Sequence, residues 1–172
     1  MTSIISSVVG GLISAWRIWV PLIILIIIAV VLKKFTPRFH GIIGEKSIAS
    51  ILSALDSKKY LIINDLMIEN DGETSQIDHV VISSYGVFVI ETKNYDGWIL
   101  GDESNNYWTQ VIYKHKEKLY NPIKQNYGHI QAIKNILKEF PDIVYYPIVV
   151  FTKKTTLKIT TNKDIVIYNA DL

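Results

Sequence analysis

From Ile18 to Leu32 the chain carries no charged side chain, and Val, Ile, Leu and Ala fill almost every position. Extended back to Leu12, the run reaches 21 residues, interrupted only by Ser14, Arg17 and Pro21. A hydrocarbon core of ~30 Å needs ~20 helical residues, so the run is long enough to span it. Trp16 and Trp19 suit the membrane interface, Arg17 can snorkel to the headgroups, and Pro21 is tolerated near a helix end. A cleaved signal peptide would open on basic residues and close on a small-residue site. Here the first sixteen residues are uncharged, and Lys33-Lys34-Phe35 follows the run. An amphipathic surface helix would keep a polar stripe, which Leu22–Leu32 lacks, and a domain this small has little room for a fully buried apolar helix. The sequence therefore predicts a tail over 1–11, a transmembrane helix over 12–32, a basic linker over 33–40 and a soluble domain over 41–172. Lys33, Lys34 and Arg38 on one flank outweigh Arg17 on the other, which puts the domain in the cytoplasm. The lack of cysteine agrees with that compartment.

Beyond the four basic residues around that run, residues 40–172 hold 14 Lys against 16 Asp and Glu, a net −2. Residues 40–109 carry four Lys against 11 acids, and residues 110–163 carry ten Lys against three acids. Such a split suits a cation site beside a polyanion track, or an ordinary solvated surface.

Ile48, Ile51, Leu52 and Leu55 recur at helical spacing and predict a helix from Gly44. Strands are expected over 60–68, 76–83 and 87–92, the last two joined by a short Ser84-Tyr85-Gly86 link as a hairpin. A weaker hairpin follows over 97–101 and 107–113. Pro122 opens a helix to about Phe140, with Ile123, Tyr127, Ile130, Ile133 and Leu137 as its core stripe. Strands over 147–152 and 165–168 close the chain. This order predicts an α/β domain with one central mixed sheet flanked by helices.

A hairpin centred near Ser84-Tyr85 pairs Ile82 with Val87 and Val80 with Val89, both apolar. The next pair is Asp78 with Glu91. Two carboxylates directly opposed destabilise a sheet, and a divalent cation between them reverses the penalty. Lys93 shares a face with Glu91. Glu45 continues the apolar stripe of the first helix, where a charge needs a partner. That partner is the same cation or Lys93, unless Glu45 simply complements the dipole of a helix first turn.

These residues resemble a known family. Gln76-Ile77-Asp78-His79 followed by Glu91-Thr92-Lys93 is similar to the signature of the PD-(D/E)xK nucleases. More closely, the chain resembles the NERD, or nuclease-related, domain. The match rests on Gly44-Glu45, Val89-Ile90-Glu91-Thr92-Lys93-Asn94, Gly97-Trp98 with Gly101, Trp108, and Asn121-Pro122-Ile123-Lys124-Gln125, and it covers about 41–152. Ile77 departs from the Pro that names the superfamily. The resemblance implies a restriction-endonuclease-like core and Mg²⁺-dependent phosphodiester hydrolysis, with Mn²⁺ as the alternative ion. It implies Asp78 and Glu91 as metal ligands, Lys93 as the group activating water and stabilising charge, Glu45 in support, and Gln125 at the edge of the site. The implied partners are nucleic acid, DNA ahead of RNA, and the membrane through the N-terminal helix.

The remaining candidates read as structural. His79 points away from Asp78 and is expected to be a satisfied buried histidine. Trp98 and Trp108 are expected to pack within the small hairpin, and Lys114, Lys116 and Lys118 to lie on a solvated loop. Three functions compete: a membrane-anchored nuclease, a catalytically silent module binding nucleic acid or protein at the membrane, and a structural adaptor, which would leave the opposed carboxylates unexplained. If the N-terminal run is an anchor, cell fractionation will find the chain in the membrane pellet, and protease added to intact cells will not reach the domain. A chain recovered in the soluble fraction contradicts the anchor.

Overall fold

A computed structural model describes residues 2–70, 72–152, 154–161 and 165–168, with the side chains of 2–15, 33–40, Asn70 and Glu73 left out. The backbone divides into two compact units, Met1–Phe39 and His40–Leu172. Helix α1 runs from Thr2 to Leu52, so the segment expected as a linker is helical. Among the described residues no helix is long and apolar enough to cross a membrane. Of the apolar run, the side chains of Trp16–Leu32 are described, and every one is exposed. The side chains of 12–15, Lys33, Lys34 and Arg38, on which the span and its orientation also rested, lie outside the described residues.

In the second unit the strands form two sheets rather than the one expected. The first joins β1 (Tyr60–Asn70), β2 (Glu73–Ser83), β3 (Gly86–Lys93), β7 (Tyr145–Phe151) and β9 (Val166–Tyr168), in that order. β1, β2 and β3 are antiparallel neighbours, and β7 and β9 continue in parallel. The second joins β6 (His115–Tyr120), β5 (Tyr107–Ile112), β4 (Gly97–Asp102) and β8 (Thr155–Thr160). Helix α2 spans Pro122–Ile136, ending a turn short of the expected limit.

Alternation along β2 and β3 sends their side chains to two different helices. Val80, Val87 and Val89 face one side and pack with Ile130 and Ile133 of α2. Val81 and Ile90 face the other and pack with Ile48 and Leu52 at the end of α1. Leu55, expected in that helical stripe, falls beyond the helix end and is exposed. A third cluster, around Ile99, Trp108, Ile123, Val149 and Phe151, ties the second sheet to α2 and β7. Trp108 is its centre: its ring stacks on Phe151, and its Nε1–H donates to Asp102 O at 2.9 Å. A Cβ on Gly101 would lie 2.3 Å from that ring, so only glycine fits there. Trp98, by contrast, is half exposed, with the Lys158 ammonium 3.5 Å above its ring.

The Lys114–Lys118 stretch belongs to a hairpin rather than a loop. β5 and β6 are joined by a two-residue turn, with Ile112 opposite His115 and Tyr113 in the left-handed region at φ 54°. Strand β6 alternates cation and acid because it is a sheet edge, where lysines discourage further pairing.

Candidate active site

The hairpin register matches the sequence expectation. Ile82 pairs with Val87, Val80 with Val89 and His79 with Ile90, which makes Asp78 and Glu91 the next facing residues. On its other side Glu91 lies opposite Val149 of β7, in the interior of the sheet, and it is 3% exposed. Its two oxygens collect three hydrogen bonds. Lys93 Nζ donates to Oε1 at 2.7 Å and Gln125 Nε2 to the same oxygen at 2.8 Å. His129 Nε2 meets Oε2 at 3.1 Å. Lys93 Nζ also donates to Gln125 Oε1 at 3.0 Å, so the amide of Gln125 bridges the ion pair. Ser75 Oγ lies 2.8 Å from His129 Nδ1 and completes the chain. Asp78 is tied separately, its Oδ2 accepting the Thr92 N–H at 2.8 Å.

Helix α2 brings Gln125 and His129 to this place because Asn121 and Asn126 pin it. Asn121 caps the helix by accepting the Ile123 N–H at 2.9 Å, while its Nδ2 donates to Asn105 O at 2.7 Å and Glu103 O at 3.1 Å in the β4–β5 turn. Asn126 Nδ2 donates to Val89 O and Ile148 O, both at 2.9 Å, on the adjacent parallel strands. At the other end of the site, a Cβ on Gly44 would lie 2.7 Å from Asn94 Cβ, so glycine lets α1 close on the end of β3 beside Glu45.

The electrostatics split the two carboxyls. Burial raises the Glu91 pKa, but the His129 hydrogen bond and the Lys93 charge outweigh it and hold Glu91 below the usual carboxylate range. Burial, then the Glu91 charge, push Asp78 up to about 7 against the stabilising Thr92 N–H. Burial works against the Lys93 ammonium, yet Glu91 more than offsets it and holds the Lys93 pKa above its ordinary value. Burial first, and the ionised Glu91 second, thus bring Asp78 to the point where it gains or loses its proton near neutrality.

Of the expected site residues, Asp78, Glu91, Lys93 and Gln125 converge here. Glu45 lies within electrostatic reach: burial, then Asp65 and Glu91, raise its pKa, but among the described residues it makes no hydrogen bond or ion pair with the cluster. It sits near the end of α1 rather than in a first turn, so the helix-dipole reading fails. His129 was missed as a site residue, although it shares a helical face with Gln125, four residues away. His79 is buried as expected but only half satisfied. Its Nδ1 meets Asn64 Oδ1 at 2.8 Å, and its Nε2 has no partner among the described residues. Burial lowers its pKa.

The nuclease-related domain (NERD) pattern matches residues 40–152. The chain belongs to the NERD family. An uncharacterized protein of Bacillus anthracis is 46% identical over 110 residues, covering 63% of this chain and 52% of that protein. This NERD chain thus matches about half the length of that curated relative. No solved structure matches it.

Among the described residues no group of three or more His, Cys, Asp or Glu side chains is placed to hold a metal. A cation between Asp78 and Glu91 would have two protein carboxylates, with water, main chain or substrate filling its other positions, an arrangement Mg²⁺ accepts. An ionised carboxylate has about four lone-pair positions. Three hydrogen bonds leave Glu91 one, on Oε2. That lone pair and the Asp78 carboxyl, which loses its proton only near pH 7, are the acceptor positions left for a cation.

The raised Asp78 pKa makes the fold lose stability as pH rises. Unfolded, Asp78 ionises near ~3.9; folded, near 7. Between those values the folded chain holds a proton that the unfolded chain releases, so this contribution to stability is full below the lower value and is lost as pH rises through the upper one. Asp78→Asn never ionises and escapes the loss. In chelator, the melting-temperature difference between Asp78→Asn and wild type should move in the variant's favour from about pH 5 to about pH 8. A pH-independent difference refutes the raised pKa.

Proposed function

We propose that this NERD domain hydrolyses nucleic-acid phosphodiester bonds with a Mg²⁺ or Mn²⁺ ion held by Asp78 and Glu91, and that the apolar run of α1 anchors it to the cytoplasmic face of a membrane. The observation that carries the chemistry is the buried Glu91–Lys93–Gln125–His129 cluster facing Asp78. The anchor is supported by the exposed apolar side chains of Trp16–Leu32, which need an apolar environment, and by the basic flank in the sequence.

Bound there, the ion would neutralise charge on the phosphoryl oxygens and lower the pKa of water. The chain's own residues divide the remaining work. Asp78 has charge to offer only once it has lost its proton, so the ion should bind more tightly as pH rises towards about 7. Lys93 brings a fixed ammonium to stabilise the negative charge that grows during attack. Gln125 locks that ammonium against Glu91, and His129 holds the second Glu91 oxygen. Glu45 adds negative potential that favours cation binding. DNA is the preferred polymer over RNA.

A catalytically silent binding module is the second reading, favoured by the fact that Glu91 is already met by three donors. Lys93→Ala separates the two. If Lys93 stabilises developing charge, the variant should lose on the order of 100-fold or more in turnover while keeping nucleic-acid affinity. Lys93→Arg should not rescue it fully, because a planar guanidinium reaches differently. A cleavage assay on single- and double-stranded DNA and RNA with Mg²⁺ or Mn²⁺ reads this directly. Equal cleavage by wild type and Lys93→Ala sinks the mechanism, and no cleavage by wild type of any substrate gives the lead to the silent module.

A further inference from the structure

Beside the Glu91 cluster an open cavity of about 380 Å³ has Gln125 and His129 in its wall, the same side chains that bond Glu91. This volume lies in the range of roughly 300–1,000 Å³ common for small-ligand sites. Gly128, Gln131 and Asn135 of α2 also line it, three and then four residues apart and so on one helical face. Glycine is unfavourable inside a helix compared with alanine. Gly128 nevertheless occupies the middle of α2, and a Cβ there would meet nothing within 4 Å. No packing in the described structure requires a glycine at this position; a side chain would simply enter the cavity.

The lining selects what fits. Lys124 is a cation in the wall, and its ammonium donates to Ser104 O at 2.8 Å and Asn106 Oδ1 at 2.6 Å, which aims it at the β4–β5 turn. The amides of Gln131 and Asn135 each carry donors and an acceptor, the pattern that pairs with a base edge. Tyr120, half exposed at the rim, offers a ring for stacking. A wall of amides and a ring, with its cation aimed at that turn, suits a flat neutral polar group rather than a phosphate. Resting on the nuclease reading above, we propose that this cavity is a subsite for one nucleobase of the bound strand, next to the phosphodiester held at Asp78 and Glu91.

Photo-cross-linking of the full chain to a single-stranded oligonucleotide carrying 5-iodouracil tests this. With Mg²⁺ present, wild type should form an adduct within residues 120–135. Gly128→Leu should lower its yield on the order of tenfold, the scale of one lost base contact. Gly128→Ala should lower it less while raising the melting temperature, because alanine favours the helix; it decides the matter if the leucine variant does not fold. No adduct, an adduct elsewhere, or a yield unchanged in both variants overturns the subsite. Cleavage followed in the same samples keeps the readings apart. Cleavage without a cavity adduct sinks the subsite alone, and a cavity adduct without cleavage keeps the subsite and sinks hydrolysis.

Discussion

The carboxylate of Glu91 is the constraint around which the second unit is arranged. It is almost wholly buried where an antiparallel hairpin meets a parallel strand. Burying one charged group costs several kcal/mol even after relaxation, and breaking a buried pair by removing one partner costs about 3–5 kcal/mol. Lys93 supplies the opposite charge from its own strand. Gln125 and His129 supply donors from α2, so the helix has to be held at a fixed height and rotation over the sheet. An ion pair, an amide bridge and a histidine thus depend on one another.

Several features remote from the carboxyls serve that placement. Asn121 fixes the start of α2 to the β4–β5 turn, and Asn126 fixes its middle to two neighbouring strands. Gly101 makes room for Trp108, whose ring packs on Phe151; that strand residue pairs with Lys93. Gly44 brings α1 against the end of β3. Most motifs through which the chain resembles NERD proteins are therefore caps and close approaches that aim the charged residues.

The parts of this arrangement visible in the sequence are those written in local pattern. Alternating apolar residues and a short Gly-containing link define the β2–β3 hairpin, and its register alone aligns Asp78 with Glu91. Pro122 and the Ile123–Ile130–Ile133 stripe define α2. Strand partners are another matter, because periodicity marks a strand without naming its neighbour. β4 bonds β8, some 60 residues on, and so the expectation of one sheet failed. β6 escaped notice because an edge strand needs no apolar face, and HKEKLY has the composition of a loop. His129 was missed for a related reason: a second helical stripe, four residues from Gln125, looks polar until a buried acid on another element gives it a purpose.

In the cation site proposed at Asp78 and Glu91, Asp78 would exchange its proton for the ion. Calorimetric titration of the chain with Mg²⁺ or Mn²⁺, run in two buffers of different ionisation enthalpy, counts the protons released. Metal ligands must be deprotonated, so binding well below pH 7 should expel about one proton per ion, falling towards none above about pH 8. Asp78→Asn should abolish that release and weaken binding. No binding by wild type, or binding near pH 6 with no proton released, contradicts the account.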